Sequence, residues 1–393
     1  MTVSPKVATR VAVIGGGPAG LATAIEAASR GAQVELYERR RPPFDKACGE
    51  GLMPDGLDRL HAMGIDLRDA PSRPLVGIRY LDAETGRTYV EGRFPRPGAG
   101  IRRLVLHQAL IQRAEELGVR LSWGSEVRHL EYENDWEATL ADGDIVRPDI
   151  MVLADGLRSK LAVQAGLRKP YTKLRGFRFG ARRHYGAEPW SDHVEVYWAE
   201  GCEAYITPTG PRELGVAVLW DRRQVPPRQA GFASLLERFP TLKRRLADAE
   251  PVSRVLGTGP LLQPVFSVEQ NGLILSGDAS GYVDAITGEG LSIAFHQAAA
   301  LGEWVTTGAH GAYRERCAAI RRLPDNMTRL LLFLQRRPWL RRTAFRALGR
   351  RPGLFKEFLA VHSRCAPPSS LARRAPEMAL LLGKEILAGR SRD

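Results

Sequence analysis

At 393 residues, 44% of them apolar and 26% charged, the chain has the composition of a soluble globular protein long enough for a large core. Its four cysteines (Cys48, Cys202, Cys317, Cys365) are far apart and form no CxxC pair, which argues against a disulfide-stapled secreted domain and fits reduced thiols in a cytoplasm. The net charge of +13 belongs to the tail: residues 321–393 hold 17 Lys/Arg against 5 Asp/Glu, so basicity is no sign of nucleic-acid binding by the rest, and no recognition motif for nucleic acid accompanies it.

The residues before the first strand carry no basic-then-apolar leader, and no run of about 20 apolar residues is present to span a membrane. Val11–Ile14 reads as a buried strand. It runs into Gly15-x-Gly17-x-x-Gly20 and then a helix-forming segment from Leu21. In a dinucleotide site each glycine has a task. Gly15 makes the tight turn, Gly17 lets backbone approach a pyrophosphate, and Gly20 lets helix and strand pack closely. The helix N-terminus then faces the phosphates. A second strand, Ala32–Tyr37, ends at Glu38, where a carboxylate can accept hydrogen bonds from ribose hydroxyls.

The loop RPPFDKACGEGL (41–52) gathers Cys48, Gly49, Glu50 and Gly51, small residues that permit a flat ligand to approach or that make an ordinary turn. Asp55–Met63 reads as a short helix, and residues 74–95 as a hairpin turning at Glu84-Thr85-Gly86. Gly100–Val119 is an apolar-faced helix with Arg102 and Arg103 at its start. Basic side chains are unfavourable there unless solvated or offset by an anionic partner. Arg120–Glu133 and Trp136–Asp149 read as strands, and Ile150–Leu153 as a buried strand ending in Ala154-Asp155-Gly156. From Lys169 to Gly259 the pattern is β-rich, with a turn at Thr207–Gly210 and one helix over Gln229–Ala247. Leu273–Ser276 is a short strand closed by Gly277-Asp278. Thr287-Gly288-Glu289-Gly290 opens a helix over Leu291–Val305. Tyr313–Ala388 is helical, with arginine pairs among leucine, phenylalanine and tryptophan. It is either a cap packed inward with solvated arginines or a surface that rests on anionic lipid.

GxGxxG with Glu38, the arginine-started helix, Ala154-Asp155-Gly156 and Gly277-Asp278 occur in this order. Over about residues 9–310 the set resembles the FAD-dependent flavoproteins of p-hydroxybenzoate hydroxylase fold, which include group A aromatic hydroxylases, geranylgeranyl reductases and flavin halogenases. The resemblance implies an α/β fold: a Rossmann-like FAD-binding domain (1–73, 100–168 and 265–310), an inserted β-rich substrate domain (74–99 and 169–264) and a basic helical C-terminal region (311–393). It implies that Gly15, Gly17, Pro18, Ala19 and Gly20 hold the FAD pyrophosphate, with Glu38, Arg39 and Val127 at the adenosine end. By the same resemblance Arg103 would reach the phosphates, Asp155-Gly156 would serve both FAD and a transient NAD(P)H, Asp278 would take the ribityl chain, and Cys48, Gly49, Gly288, Gly290 and Leu291 would lie at the flavin ring.

KACGEGL, GYVDAITGEGL and EAYITPTG resemble the geranylgeranyl reductase branch, although Glu50 stands where that branch usually has glycine. The halogenase tryptophan pair is replaced by Glu203–Pro208, and residues 71–99 contain no lysine where a halogenase has one. The first expectation is a monooxygenase hydroxylating a hydrophobic aromatic or polyketide-like small molecule. The alternatives are a saturase reducing an alkene and a non-catalytic FAD-binding protein. Cys48, Glu50 and Tyr205 are the catalytic candidates. Glu203, Tyr205 and Tyr282 are the substrate-cavity candidates. His107 and His296 read as structural helix residues. No metal site is expected.

Overall fold

The computed structural model describes residues 8–170, 176–307 and 312–390. Leu174 and Arg175, with which one expected strand opens, and residues 391–393 of the tail lie outside the described residues.

The apolar run that opens the chain becomes the strand Arg10–Ile14 at the centre of a six-stranded sheet. Gln33–Glu38 and Ile150–Leu153 flank it in parallel. Arg120–Trp123 and Leu273–Leu275 extend the sheet in parallel, and Glu269–Gln270 closes one edge as a short antiparallel strand. Parallel strands are buried on both faces and read as continuous apolar runs, and here Val11, Val13, Leu36 and Val152 pack against the helices Pro18–Ala28, Arg103–Glu116 and Gly290–Thr307.

The strands Ser72–Asp82 and Thr88–Ile101 leave this sheet and join a nine-stranded one with Gly51–Leu52, Arg178–Gly186, His193–Trp198, Cys202–Gly210, Glu213–Asp221 and two short strands. Arg120–Glu133 divides between sheets: Arg120–Trp123 joins the first, and Val127–Tyr132 pairs with Trp136–Leu140 in a separate three-stranded one.

Three local expectations change. Thr207–Gly210 is not a turn but the end of the strand Cys202–Gly210, with a register shift between Pro208 and Gly210 that accommodates the proline. The single helix over Gln229–Ala247 is broken into Phe232–Leu236 and Pro240–Arg245, because Pro240 can start a helix but not continue one. Gly100 and Ile101 end a strand, and the helix begins only at Arg103.

The basic tail folds into four helices, Ala312–Gln335, Pro338–Gly349, Pro352–His362 and Pro368–Arg390. Phe345, Phe355, Leu359 and Leu331 pack on Tyr80, Val90, Phe94 and Trp198 of the large sheet, so its apolar residues face inward over much of their length.

The turn after the first strand leaves no room for a side chain at Gly15 or Gly20. Gly15 has φ +115°, and a Cβ on Gly20 would stand 1.8 Å from the Gly15 carbonyl oxygen, against backbone that cannot move aside. Gly20→Ala is expected to destabilise the protein by about 3 kcal/mol, seen as a lower urea midpoint at unchanged slope.

Candidate functional site

The first helix begins at Gly17 with no side-chain cap and with proline at its first position, so its N-terminal amides are not filled by the protein's own side chains. A Cβ on Gly17 would meet only Nη2 of Arg103, at 3.8 Å. The loop is held from behind. The Gly16 amide donates to Glu38 Oε2 at 2.9 Å, and the Arg40 amide to Glu38 Oε1 at 3.0 Å. His107 Nε2 donates to the Gly16 carbonyl at 2.7 Å, and burial lowers the pKa of the imidazole, so it stays neutral and locks the loop. His296 is likewise engaged, with Asp55 at 3.0 Å.

From Gly17, Pro18 and Ala19 a cavity of about 250 Å³ runs past Arg103, Gly156 and Asp278 to Gly288, Gly290 and Leu291. Cys48, Gly49 and Glu50 form one side, and Tyr205 and Tyr282 another. The structure thus brings together most of the positions singled out in the sequence. Gly15 and Gly20 shape the turn behind this lining, Glu38 and Val127 lie beyond it, and Arg39 and Asp155 are exposed. Lys46 Nζ lies 3.6 Å from Asp278 Oδ2, a half-exposed pair bridging the loop to the Gly277-Asp278 motif.

Glu50 is buried and adopts φ +58°, a left-handed conformation costly for a side-chain-bearing residue. Its carboxylate explains why it is tolerated. Oε1 accepts from the Arg103 amide at 2.9 Å, Oε2 meets His184 Nε2, and Arg182 stands 3.6 Å away. Arg102 divides between Glu213, at 2.6 Å, and Glu50, at 3.8 Å. The anionic partner expected for the arginine-started helix is therefore, for Arg102, the protein's own carboxylates. Arg103 differs: its side chain lines the cavity and its buried Nε has no hydrogen-bond partner. Cys48 accepts from the Glu50 amide at 3.4 Å. Burial, and then the Glu50 charge, push its thiol pKa up, so the sulfur holds its proton at neutral pH.

Tyr205 donates to the Ile286 carbonyl at 2.9 Å, and Tyr282 packs beside Gly290. Glu203 does not line the cavity. It is fully buried with Arg178 and accepts from Gln335 Nε2 at 2.7 Å. Arg178 also holds Asp284, at 3.0 Å, and the Ile286 amide donates to Asp284 at 3.1 Å. This cluster anchors the 284–286 segment and the helix Ala312–Gln335 to the sheet. At the next helix start, the Gly288 amide donates to the Ala285 carbonyl, and the amides of Glu289 and Gly290 follow it.

Several lining residues were not anticipated. Ile78, Tyr80, Val194 and Val196 share one face of two paired strands, a period-2 signal present in the sequence. Leu331, Phe358 and His362 come from the C-terminal helices, and nothing local in the sequence directs them to this cavity. His362 Nδ1 lies 3.5 Å from Glu289 Oε2, and burial raises the Glu289 carboxyl pKa against the opposing charges of His362 and Arg364.

A family model described as an FAD binding domain matches residues 8–204. The chain belongs to this family. It is an FAD-dependent oxidoreductase of the p-hydroxybenzoate hydroxylase fold. Menaquinone reductase of Mycobacterium tuberculosis is 29% identical over 297 residues, 72% of each chain. Digeranylgeranylglycerophospholipid reductase 2 of Methanopyrus kandleri is 28% identical over 299 residues, again 72% of each. Among solved structures, a flavoprotein/dehydrogenase from Cytophaga hutchinsonii superposes with TM-score 0.82 at 14% identity, covering 97% of this chain and 99% of that one. The flavin-dependent brominase Bmp2 superposes with TM-score 0.80 at 18% identity, covering 94% and 99%. At these identities the superpositions establish the fold.

The residues present fit FAD. The uncapped helix start, the open face of Gly17 and the unpartnered Arg103 Nε meet at one end of a continuous cavity, where a diphosphate needs donors and positive charge.

Glu50→Gly tests which effect governs the loop. Glycine removes left-handed strain of about 1–2 kcal/mol. It also strips the buried partner from His184, Arg182 and the Arg103 amide, a loss of about 3–5 kcal/mol. The variant is expected to be less stable by about 2 kcal/mol in urea unfolding, with Glu50→Gln closer to the parent.

Proposed function

We propose that the protein reduces a carbon–carbon double bond of a hydrophobic, isoprenoid-type molecule, with NAD(P)H as the electron source. The observation that carries this reading is the cavity wall. Beyond the Gly288–Leu291 segment it is built from Ile78, Val194, Val196, Leu219, Ile286, Leu331 and Phe358, an apolar lining continuous with the cofactor end. The relatives named menaquinone reductase and digeranylgeranylglycerophospholipid reductase support it. They favour the saturase over the hydroxylase that the sequence alone ranked first.

In this reading Gly17, Pro18, Ala19 and Arg103 bind the diphosphate of FAD, Glu38 the adenosine ribose and Asp278 the ribityl chain. Arg39 and Val127 lie at the adenosine end, and Asp155-Gly156 serves both nucleotides. The amides at Glu289 and Gly290, with Leu291, border the ring together with Cys48 and Gly49. When bound, FAD supplies the hydride. Tyr205, fixed by the Ile286 carbonyl, and Tyr282 shape the cavity beside it. Apolar side chains exclude water and orient the alkene. Reduction also needs a proton, and Cys48 holds one at Sγ, whereas the Glu50 carboxylate is committed to its hydrogen bonds. Glu203 acts at a distance, by fixing the 284–286 segment. NAD(P)H binds transiently, since no second dinucleotide fingerprint occurs.

Gly17→Val places a methyl-bearing side chain where only Arg103 is near. The apoprotein's thermal stability is expected to hold while FAD affinity falls on the order of a hundredfold, read by flavin fluorescence titration. Turnover decides the reaction. Under argon, with NAD(P)H and a polyprenyl quinone, the product is expected to gain two hydrogens that stay in the prenyl-chain fragments by mass spectrometry after the quinol head has been reoxidised to the quinone; two hydrogens lost on that reoxidation would mean that only the head was reduced. A product formed only in air and carrying an added oxygen atom would establish the monooxygenase instead. A flavin that NAD(P)H does not bleach would leave the protein a cofactor-binding scaffold.

A further inference from the structure

The helix Ala312–Gln335 has two unlike faces. Leu331 points inward and lines the cavity, and Gln335 is buried against Glu203. Arg322, Asn326, Arg329, Leu330 and Phe333 recur three and four residues apart on the opposite, exposed face, and Arg336, Arg337, Trp339 and Arg342 continue it into the next helix. Apolar residues this exposed are unusual beside so many cations: Leu330 is 46% exposed, Phe333 45% and Trp339 53%. The Arg337 guanidinium stacks over the Phe333 ring at 4.0 Å. Between residues 319 and 342 the single acid, Asp325, is half-buried and paired with Arg321. Among the described residues, none of the five exposed arginines forms an ion pair.

Between residues 319 and 342, five arginines without an ion pair and three exposed apolar anchors, with no exposed carboxylate among them, are complementary to a surface that is negatively charged and has an apolar layer beneath it. We propose that this face docks on an anionic lipid bilayer, with Phe333 and Trp339 entering the headgroup–acyl boundary and the arginines pairing with lipid phosphates. The docked helix is the same one whose inner side forms part of the cavity wall, so the bilayer would lie across a single helix from the cavity. The docking surface itself stands on the patch alone and not on the identity of the substrate.

Vesicle co-sedimentation of the full chain tests it. Phosphatidylcholine vesicles containing phosphatidylglycerol are expected to pellet the protein and vesicles of phosphatidylcholine alone are not, with binding lost as salt rises. Each arginine at such a surface is worth about fivefold in partitioning, so Arg336→Gln/Arg337→Gln is expected to bind on the order of thirtyfold more weakly. Phe333→Ser/Trp339→Ser should bind more weakly still, while both variants keep the parent's circular dichroism and thermal midpoint. Parent-like binding by both variants, or equal binding to neutral and anionic vesicles, overturns the proposal. So does a dimer in analytical ultracentrifugation that Phe333→Ser/Trp339→Ser converts to monomer, because the patch would then be an interface between copies.

Discussion

The Glu50 carboxylate is the junction on which the site depends. It touches the amide that starts the helix Arg103–Glu116, on the six-stranded side, and His184 and Arg182, on the nine-stranded side. Arg182 reaches on to Asp45 and to the Lys46 carbonyl, so the 45–50 loop is held at both ends by one buried arginine. Burial opposes ionisation of Asp45, but Arg182 more than offsets it and keeps that carboxyl below its usual range. A buried carboxylate without such partners would cost several kcal/mol. With them it fixes the distance between the two sheets, and the cavity is the space left between.

Much of this arrangement is legible in the sequence because it follows from local steric rules. Gly15 and Gly20 can be placed at the turn from spacing, since a Cβ on either would strike backbone. The buried parallel strands are equally plain, as uninterrupted apolar runs bounded by turns. What spacing does not reveal is which distant segment answers a charge. Arg102 and Arg103 are adjacent and look alike in sequence. One is neutralised by Glu213 and Glu50, and the other turns its guanidinium into the cavity. Glu203 shows the same limit from the other side. Its neighbour-but-one Tyr205 lines the cavity, yet Glu203 lies outside that lining and meets Arg178 and Gln335, residues 25 and 132 positions away. The strand ending at Gly210 is hidden for a different reason: Thr-Pro-Thr-Gly carries turn chemistry, and the neighbouring strand overrides it with a register shift.

The buried Arg178 cluster explains why the tail belongs to the site. Arg178 and Glu203 come from the two strands that flank Glu213–Asp221 in the large sheet, Asp284 from the segment before the glycine-rich helix start, and Gln335 from the C-terminal helices. Arg341 closes the group by donating to Gln335. Removing any one member would leave a buried charge or amide without its partner, so the three segments are fixed relative to one another. That linkage sets the rotation of the helix Ala312–Gln335. With Gln335 held inward, the helical period also turns Thr328 and Leu331 inward and leaves Leu330 and Phe333 outward with the arginines. The composition of the tail, basic and rich in leucine and aromatics, was consistent with either an inward cap or an outward surface. The helix packs one face inward and leaves a basic, partly apolar face exposed, because one buried polar anchor assigns the two halves of its circumference to opposite sides.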